Sequence, residues 1–557
     1  MPTKRSGRNL TPGTVQPARL EFSKGMFGSQ DRKRLVKKGL ACHKQRRKPT
    51  QKEWIRKLES NPWVKTGMFA AFVLVLGLLI FSREHPEPAK YFLIGLLVFI
   101  IALAQLWINF PETFRKNSRI ALVFGVMLLH LCIAKLIMVF CSDPHGALRP
   151  EIGVLLIPYA FAPLVLSVLL GKNYGIYAAV FVSLWSSILF RGVDAVLLVM
   201  SLISGFIAVF VTIQVRRRSR LLRAGFYVGL ATWLLAVSFG IISISWLQLP
   251  DMDWAMFGKQ SLAAILDGML TGMAVGGALP LLESLFQITT DMSWLEMADR
   301  NHPVLLRLSL DAPGTWHHSD VVADLAEVAA NRIGANGTMC RACAYFHDIG
   351  KLVKPNYFSE NIVGDENPHD DLAPTMSALI IIAHVKEGVD IALKYGLNQK
   401  VIDVIQQHHG TSLVSYFYKR ALQQQRDARE GGKIMNIREE DIPEVREESF
   451  RYSGPKPQFK ESGIISLADA VESASRSLDK PTPQKIEQLV TEIVNKRIAE
   501  GQLDECDLTL KEIRAISETF RFTLQNMLHT RIKYPKDEEK AEQESRRLRN
   551  LPPASAA

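Results

Sequence analysis

Two short stretches decide the fold of this chain: residues 314–319 read Gly-Thr-Trp-His-His-Ser, and residues 346–351 read Phe-His-Asp-Ile-Gly-Lys. The second stretch places an imidazole next to a carboxylate, at His347 and Asp348. Asp348 can bind two metal ions, one through each oxygen, whereas His347 can bind only one. Apolar residues recur at helical spacing around both stretches, and Gly350 is a suitable residue to end the second helix. The sequence therefore predicts helices that present metal ligands.

The composition indicates a membrane part as well as a soluble part. The chain has 557 residues, of which 48% are hydrophobic, and a mean hydropathy of +0.07. It is too long for one core and too apolar for an ordinary soluble protein. Its six cysteines are scattered, which excludes a disulfide framework. Cys340 and Cys343 form a CxxC without a second pair, so core packing is preferred to a zinc site.

The positive charge is concentrated in residues 1–63, which hold 17 Lys and Arg against 4 Asp and Glu. This surplus of 13 accounts for the formal net charge of +12, so the remainder is close to neutral. The basic run leads directly into an apolar segment, where such runs attract anionic lipids and fix topology. We therefore expect residues 1–63 to be a cytoplasmic tail that meets membrane lipids, with no DNA or RNA partner.

Eight apolar runs are candidates to cross a bilayer, which takes about 20 residues. They lie near 64–82, 91–110, 120–141, 154–171, 174–190, 195–215, 224–246 and 262–286. The loops that should be cytoplasmic carry basic residues, most densely at 216–223, as the positive-inside rule requires. Eight crossings place both termini in the cytoplasm. His130, Lys135 and Asp267 lie at membrane depth, as a ligand-sensing pocket or as interior polar groups.

The histidines of the soluble half predict a metal centre. Eight of the 13 histidines fall between residues 302 and 409. Histidines or aspartates recur at the expected ends of apolar helices, and a set of imidazoles and carboxylates suits Fe, Mn or Zn. The candidate ligands are His318, His347, Asp348, His384, His408, His409 and Asp469. Of two adjacent histidines, His318 is preferred to His317 because it is in phase with the buried face. His369 lies in a Pro-containing polar segment and is a decoy or an outer contributor.

These ligands suit hydrolysis of a phosphate ester. Two metals about 3.5 to 4 Å apart can share a hydroxide and stabilise both the attacking and the leaving oxygen.

At these residues the sequence resembles the HD-domain phosphohydrolase superfamily, and more narrowly the seven-transmembrane HD-domain proteins that hydrolyse cyclic di-AMP. The resemblance runs from about 279 to 480. Its ordered motifs include Ala-Pro-Gly-Thr-Trp-His-His-Ser, His-Asp-Ile-Gly-Lys, Gln-His-His-Gly-Thr, Arg-Tyr-Ser-Gly-Pro-Lys-Pro-Gln and Leu-Ala-Asp-Ala-Val-Glu.

The resemblance implies the role of each candidate. One metal would be held by His318, His347, Asp348 and Asp469, and the other by Asp348, His384, His408 and His409, with Asp348 as the bridge. The metals are expected to be iron or manganese. Lys351 would lie near the substrate phosphate, or else would meet the carbonyls of a helix end. Arg451 and Tyr452 would contact nucleotide, or would belong to a rigid proline turn that positions Asp469. His347, Asp348 and Lys351 are the predicted catalytic residues.

The expected fold is all-α, with a polytopic transmembrane bundle followed by an all-helical cytoplasmic HD domain. The predicted boundaries are 1–63 for the tail, 64–286 for about eight membrane helices, 287–480 for the HD domain, 481–534 for C-terminal helices and 535–557 for a disordered tail. Typical relatives carry a large extracytoplasmic domain between the first two spans, whereas only residues 82–90 separate them here. The C-terminal helices, with a capping box at Thr509 and Glu512, would pack on the HD core or pair two copies.

The resemblance implies hydrolysis of cyclic di-AMP to linear pApA by a multi-pass signalling enzyme of a bacterial inner membrane, and a homodimer is the candidate assembly. A second hypothesis is an HD hydrolase of cyclic di-GMP or of a nucleoside phosphate. A third, from a different class, is a receptor that binds nucleotide without cleaving it. The complete ligand set argues against the receptor.

Overall fold

The computed structural model describes residues 53–81, 87–141, 150–190, 195–213, 215–242, 253–362, 364, 366–435, 444–478 and 481–528. Over these ranges the chain is helical, and its one β-type pairing is an isolated bridge between Leu413 and Arg451. The all-α prediction is therefore confirmed. Most of the predicted basic tail and the whole of the predicted C-terminal tail lie outside the described residues.

The N-terminal half is a bundle of apolar helices. Its helices are α1 (Glu53–Ser60), α2 (Pro62–Ile80), α3 (Pro88–Asn109), α4 (Pro111–Phe114), α5 (Asn117–Cys141), α6 (Pro150–Leu155), α7 (Phe161–Leu170), α8 (Lys172–Leu189), α9 (Ala195–Val211), α10 (Ser219–Ser238) and α11 (Trp254–Phe286). By length and composition, α2, α3, α5, α10 and α11 could cross a membrane, while α7 and α9 are apolar but shorter. Helical segments cover parts of all eight predicted runs.

The predicted span 154–171 is wrong as a continuous helix. The structure interrupts it between Leu155 and Phe161. Pro158 lies in the interruption, and proline cannot donate the backbone hydrogen bond that a helix interior needs. The buried Tyr159 donates its hydroxyl proton to the carbonyl of Val154 over 2.8 Å, which satisfies one backbone group that the break exposes.

Helices α10 and α11 pack backbone against backbone. A Cβ placed on Gly225 would lie 2.3 Å from the carbonyl oxygen of Gly268, and one on Gly272 would lie 2.5 Å from that of Leu221. Glycines four residues apart on each helix thus let the two backbones touch, as in small-residue contacts of membrane helices. Since α11 has 33 residues, it is about 50 Å long at 1.5 Å per residue, longer than a bilayer core of about 30 Å.

The C-terminal half forms one helical core. Its helices are α12 (Asp291–Met297), α13 (Pro303–Asp311), α14 (Pro313–Ile333), α15 (Gly337–Phe346), α16 (Pro374–Lys394), α17 (Gln399–Gln407), α18 (Ser415–Met435), α19 (Lys460–Ser475), α20 (Pro483–Ala499) and α21 (Leu510–Met527). Short 3-10 turns follow α15, at Ile349–Val353, Pro355–Tyr357 and Ser359–Asn361. Cys340 and Cys343 are fully buried in this core, as expected for packing residues.

The last two helices belong to the same core as the helices that carry the histidines. Their buried stripe comprises Ile486, Val490, Val494, Ile513, Ile516, Phe520 and Leu524. The predicted capping box at the start of α21 is confirmed, because Thr509 and Glu512 exchange side-chain and backbone hydrogen bonds. The C-terminal helices thus brace the core that carries the histidines, and α21 packs directly on α14.

Polar contacts join the two halves of the chain at the end of α11. Glu283 accepts hydrogen bonds from the backbone of Thr290 and from the hydroxyl of Ser293. Arg218, from the basic loop before α10, pairs with Glu296 of α12 at 2.9 Å. Arg216 lies 4.0 Å from Glu327 on α14. The basic loop therefore faces the domain that carries the histidines.

Candidate metal centre

Five helices converge to bring the seven predicted ligands together. His318 lies in the second turn of α14, His347 and Asp348 directly follow α15, and His408 and His409 directly follow α17. His384 projects from α16 and Asp469 from α19. The prediction that a helix ends at His384 is wrong, since α16 continues to Lys394. Here the histidine faces inward from the middle of a helix.

Asp348 lies at the middle of the cluster, and each of its oxygens faces a different group of imidazoles. Oδ2 lies 3.3 Å from Nε2 of His347 and 3.6 Å from Nε2 of His318. Oδ1 lies 3.3 Å from Nε2 of His384 and 3.6 Å from Nε2 of His408. One carboxylate therefore has two separate ligand groups around it.

Asp469 connects the same two groups from the opposite helix. Its Oδ1 lies 3.1 Å from Nε2 of His318 and 3.8 Å from Nε2 of His347. Its Oδ2 lies 3.4 Å from Nδ1 of His409. Among the described residues, two clusters have ligand atoms close enough to hold a metal. They are His318, His347 and Asp348, and Asp348, His384, His408 and His409. Asp469 completes the first cluster by contact with both of its histidines.

The histidines are oriented by hydrogen bonds on their other ring nitrogen. Nδ1 of His347 donates to the carbonyl of Ala344 and Nδ1 of His384 to that of Ile381, each over 2.6 Å. Nδ1 of His408 donates to the carbonyl of Ile405 over 2.9 Å. A proton on Nδ1 leaves the lone pair of Nε2 free to bind a cation. Backbone geometry thus sets the tautomer that a metal ligand needs.

The ligand set fits bound cations because two of its polar atoms are buried without a partner. Nε2 of His347 and Oδ1 of Asp348 have no hydrogen-bond partner among the described residues. Both side chains are almost fully buried. A buried polar atom without a partner is costly, and a coordinated cation would remove that cost. His409, whose side chain is 19% exposed, gives the cluster its accessible edge.

Neighbouring charges and burial together set the pKa values of the candidate ligands. Burial by itself raises the pKa of Asp348, but Lys351 and His347 outweigh burial and hold that pKa well below its usual range. Burial lowers the pKa of His347, yet Asp348 and Asp469 raise it to about 10. His384 differs because burial dominates and lowers its pKa to about 4. Asp348 is therefore ionised and His384 is neutral at pH 7, as metal ligands must be.

Metal uptake by the metal-free protein should release protons. The pKa of His347 is raised to about 10, so its imidazole carries a proton on both ring nitrogens at neutral pH and must lose one to bind a cation. Burial lowers the pKa of His318, but its contacts with Asp469 and Glu472 outweigh burial and raise that pKa above its usual value. We expect at least about one proton released per chain, and an affinity for Mn²⁺ that rises roughly tenfold per pH unit for each proton released. Calorimetry in buffers of different ionisation enthalpy measures the number.

The control for this titration is the exposed neighbour of His318. His317 is exposed, so His317→Ala should leave proton release unchanged, whereas His318→Ala, which loses a ligand and with it the bound metal, should release almost no protons when Mn²⁺ is added. A heat of binding that is the same in every buffer would contradict the predicted protonation.

The side chain of Lys351 is mostly buried and lies against two carboxylates. Its ammonium lies 2.7 Å from Oδ2 of Asp348 and 2.6 Å from Oε1 of Glu360. Burial lowers its pKa, but these two carboxylates outweigh that effect and raise it. Lys351 therefore stays charged and holds Asp348 in place.

The two residues expected to contact nucleotide have different surroundings. The ring of Tyr452 lies on that of His409, with centroids 4.3 Å apart, so it borders the second group. The guanidinium of Arg451 is bound to Glu447 and, over 3.0 Å, to the carbonyl of Thr411. Arg451 fixes the loop, whereas Tyr452 faces the cluster.

His369 is held by contacts of a structural kind. Its Nε2 donates to the carbonyl of Tyr357 over 2.7 Å, and its ring packs 4.9 Å from that of Phe417. These contacts fit the interpretation of His369 as a decoy.

Glu472 is a buried residue next to the cluster, and its role is not evident from the sequence. Glu472 lies one turn after Asp469 on α19 and accepts a hydrogen bond from Nδ1 of His318. It also accepts from Nε of Arg476 over 2.7 Å. Residues three apart on a helix share a face, so the spacing from Asp469 is the sequence signal that places Glu472 on the face that carries a ligand. Glu472 orients His318 as the backbone carbonyls orient the other histidines.

Replacing Glu472 with alanine should weaken metal binding without removing a ligand. The loss of a partner that orients a metal ligand costs about 10- to 100-fold in affinity, and Glu472→Gln should lose less because its amide oxygen can still accept from Nδ1. Competition with a fluorescent Mn²⁺ chelator measures the affinity. Equal Mn²⁺ affinity in wild type and Glu472→Ala would show that Glu472 does not orient His318.

Two family models match the chain. Residues 86–290 match the 7TM receptor with intracellular HD hydrolase, and residues 315–474 match the HD domain. The first match spans seven apolar helices, which are α3, α5, α7, α8, α9, α10 and α11. Helix α2 precedes them, and seven residues, 81–87, connect it to α3.

Curated relatives match most of the chain. The chain is 35% identical over 466 residues to the cyclic-di-AMP phosphodiesterase PgpH of Listeria monocytogenes, and 34% identical over 455 residues to that of Bacillus subtilis. These matches cover 82% and 81% of this chain, which spans about 60% of the length of either relative. The crystal structure of the L. monocytogenes PgpH HD domain in complex with cyclic-di-AMP is 43% identical, covers 41% of this chain and 99% of that chain, and has a TM-score of 0.37. From the two family models and the curated relatives, the chain belongs to the family of seven-transmembrane proteins with an intracellular HD hydrolase domain.

Proposed function

We propose that this protein is a membrane-anchored, metal-dependent phosphodiesterase that hydrolyses cyclic di-AMP to linear pApA. The observation that carries the proposal is the position of Asp348, whose two oxygens face two different groups of imidazoles. This arrangement suits two divalent cations that share one carboxylate, and the mixture of imidazoles and carboxylates suits iron or manganese. The choice of substrate is supported by relatives named as cyclic-di-AMP phosphodiesterases.

The residues of the chain would hold the reacting groups in place. Two bound cations would supply an activated water and would neutralise the phosphodiester charge during in-line displacement. His347 and Asp348 keep their ligand atoms fixed through Ala344 and Lys351 respectively. Because these atoms are buried, bulk water is excluded and electrostatic stabilisation is strong. Tyr452, whose ring lies on that of His409 at the accessible edge, would stack against a base of the substrate.

We place the hydrolase domain on the cytoplasmic face of a bacterial inner membrane, with both termini on that side. The basic segment 216–223 supports this orientation, since Arg216 lies beside α14 and Arg218 pairs with Glu296 of α12 in the hydrolase domain. Membrane lipids would surround the exposed apolar faces of α2 and α3.

A homodimer is a further expectation, and the exposed Leu510 and Phe522 on α21 are candidate contacts. The protein mass of the detergent-solubilised particle, measured by light scattering, distinguishes a homodimer from a monomer.

The proposal is tested with the full-length protein in detergent, stripped of metal and reloaded with Mn²⁺ or Fe²⁺. Cyclic di-AMP, cyclic di-GMP and a nucleoside monophosphate are supplied separately, and products are identified by chromatography and mass spectrometry. We expect pApA from cyclic di-AMP as the fastest reaction. Faster turnover of another nucleotide would overturn the substrate, and binding without turnover of any would favour the receptor.

Matched variants connect the activity to the cluster. His318→Ala removes a buried candidate ligand, while His317→Ala removes its exposed neighbour on the same helix. We expect the first variant to lose metal and turnover together, and the second to keep both. If His317→Ala were the inactive variant, the ligand assignment on α14 would be wrong.

A further inference from the structure

A polar pocket of 470 Å³ opens beside the first group of ligands. Its lining residues are His318, Lys351, Ser359, Glu360, Glu472, Ser473, Arg476 and Ser477. The pocket therefore adjoins the candidate cleavage site through His318 and Lys351. Its volume lies in the range of about 300 to 1,000 Å³ that is usual for small-molecule sites.

Most charged groups of this pocket are already neutralised by one another. Lys351 is held between Asp348 and Glu360. Glu472 is held between His318 and Arg476. The positively charged side chains and the carboxylates along this wall of the pocket are thus paired with one another.

Arg476 is the exception, because only one of its nitrogens is used. Nε donates to Glu472 over 2.7 Å, and the two terminal NH₂ groups have no hydrogen-bond partner among the described residues. The side chain is 37% exposed. A guanidinium whose position is fixed on one side and whose remaining donors are free is suited to bind an anionic phosphate.

On the basis of the proposed function, we infer that this pocket receives the second phosphodiester of the cyclic dinucleotide, the one that is not cleaved, and that Arg476 binds it. The two phosphodiesters of such a substrate belong to one macrocycle, so the second always lies one sugar away from the first. With one phosphodiester at the ligand cluster, the neighbouring pocket is the place for the other. Arg476 would thereby distinguish a cyclic dinucleotide from a substrate with a single phosphodiester.

The alternative is that Arg476 acts only through Glu472 on His318 and never touches substrate. The two roles predict different selectivity. A residue that binds the second phosphodiester affects only substrates that have one. A positioning residue affects every substrate alike, together with the metal content.

The test compares cyclic di-AMP with bis(p-nitrophenyl) phosphate, which has a single phosphodiester, on the full-length Mn²⁺-loaded protein. The measured quantity is the selectivity, which is kcat/KM for cyclic di-AMP divided by kcat/KM for bis(p-nitrophenyl) phosphate. A hydrogen bond to a charged group contributes about 1.5 to 3 kcal/mol, so Arg476→Ala should lower this selectivity by about 10- to 100-fold. The reduction should arise in KM, with an unchanged metal content. Arg476→Lys should recover part of the ratio.

The matched control is Arg307→Ala on α13. Arg307 also pairs with an acidic residue four positions away on its helix, and its side chain is 35% exposed, but it lies outside the pocket lining. Its substitution should leave the ratio unchanged. An unchanged ratio in Arg476→Ala, or an equal loss for both substrates, would overturn the inference while the proposed function stands. Wild-type turnover of the chromogenic diester alone would instead overturn the proposed substrate and the inference with it.

Discussion

Replacing Asp348 with alanine should remove bound metal and lower the turnover of cyclic di-AMP by more than about 100-fold. Loss of a residue that merely orients a ligand costs up to about 100-fold, and Asp348 faces both ligand groups, so its loss should cost more. The substitution also leaves Lys351 with Glu360 as its remaining carboxylate partner. Metal analysis and product formation are measured on the same preparation.

Asp348→Asn is the control for collapse of the fold. The amide has the size of the carboxylate, so the helices should stay packed, but it lacks the charge that two cations share. We expect it to fold like the wild type in circular dichroism and still to lose turnover. If Asp348→Ala kept more than a tenth of the wild-type turnover, Asp348 would not be the bridge.

Replacing Gly350 with alanine should destabilise the protein by about 3 kcal/mol or more and displace His384. A Cβ on Gly350 would lie 1.8 Å from the carbonyl oxygen of His384 and 2.5 Å from the nitrogen of Gly388. Both are backbone atoms, so α16 must move as a whole, and overpacking of this kind costs about 1 to 3 kcal/mol or more. Denaturant unfolding of the metal-free protein measures the loss, and the Mn²⁺ content reports the displacement.

The control for Gly350 is Gly258 in α11. A Cβ on Gly258 would meet no atom within 4 Å, so Gly258→Ala should change the free energy of unfolding little, or should increase it. If Gly350→Ala unfolded at the same denaturant concentration as wild type, the close approach would not constrain the site.

Gly350 also shows what the sequence could not reveal. A glycine after a helix is often its C-terminal cap, and Gly350 was interpreted in that way. The structure ends α15 at Phe346 and places Gly350 in a 3-10 turn, without a positive φ. Its role is to let the turn that carries Asp348 touch α16. Such a contact joins distant parts of the chain and leaves no local pattern.

The ligands themselves were accessible to sequence reasoning because they carry a chemical signature. Imidazoles and carboxylates next to apolar helical patterns indicate metal binding wherever the helices cross. Their geometry was not accessible in the same way. His384 was expected at a helix end but faces inward from the middle of α16, since only the packing of α16 against the Gly350 turn decides which of its faces is central.

The residues that support the ligands were harder to find. Glu472 shares a helix face with Asp469, so its spacing alone was informative. Glu360 has no such signal, because it reaches Lys351 through a series of short 3-10 turns. In the membrane half, hydropathy predicted the apolar runs, but the break at Pro158 was missed because hydropathy averages over a segment.

Electron paramagnetic resonance of the full-length protein loaded with Mn²⁺ tests the central claim most directly. If Asp348 bridges two cations about 3.5 to 4 Å apart, the two Mn²⁺ ions must be magnetically coupled. We therefore predict a coupled dimanganese spectrum from wild type that becomes a single-ion spectrum in His384→Ala. A saturated wild-type protein that gives only the six-line spectrum of isolated Mn²⁺ would contradict the account.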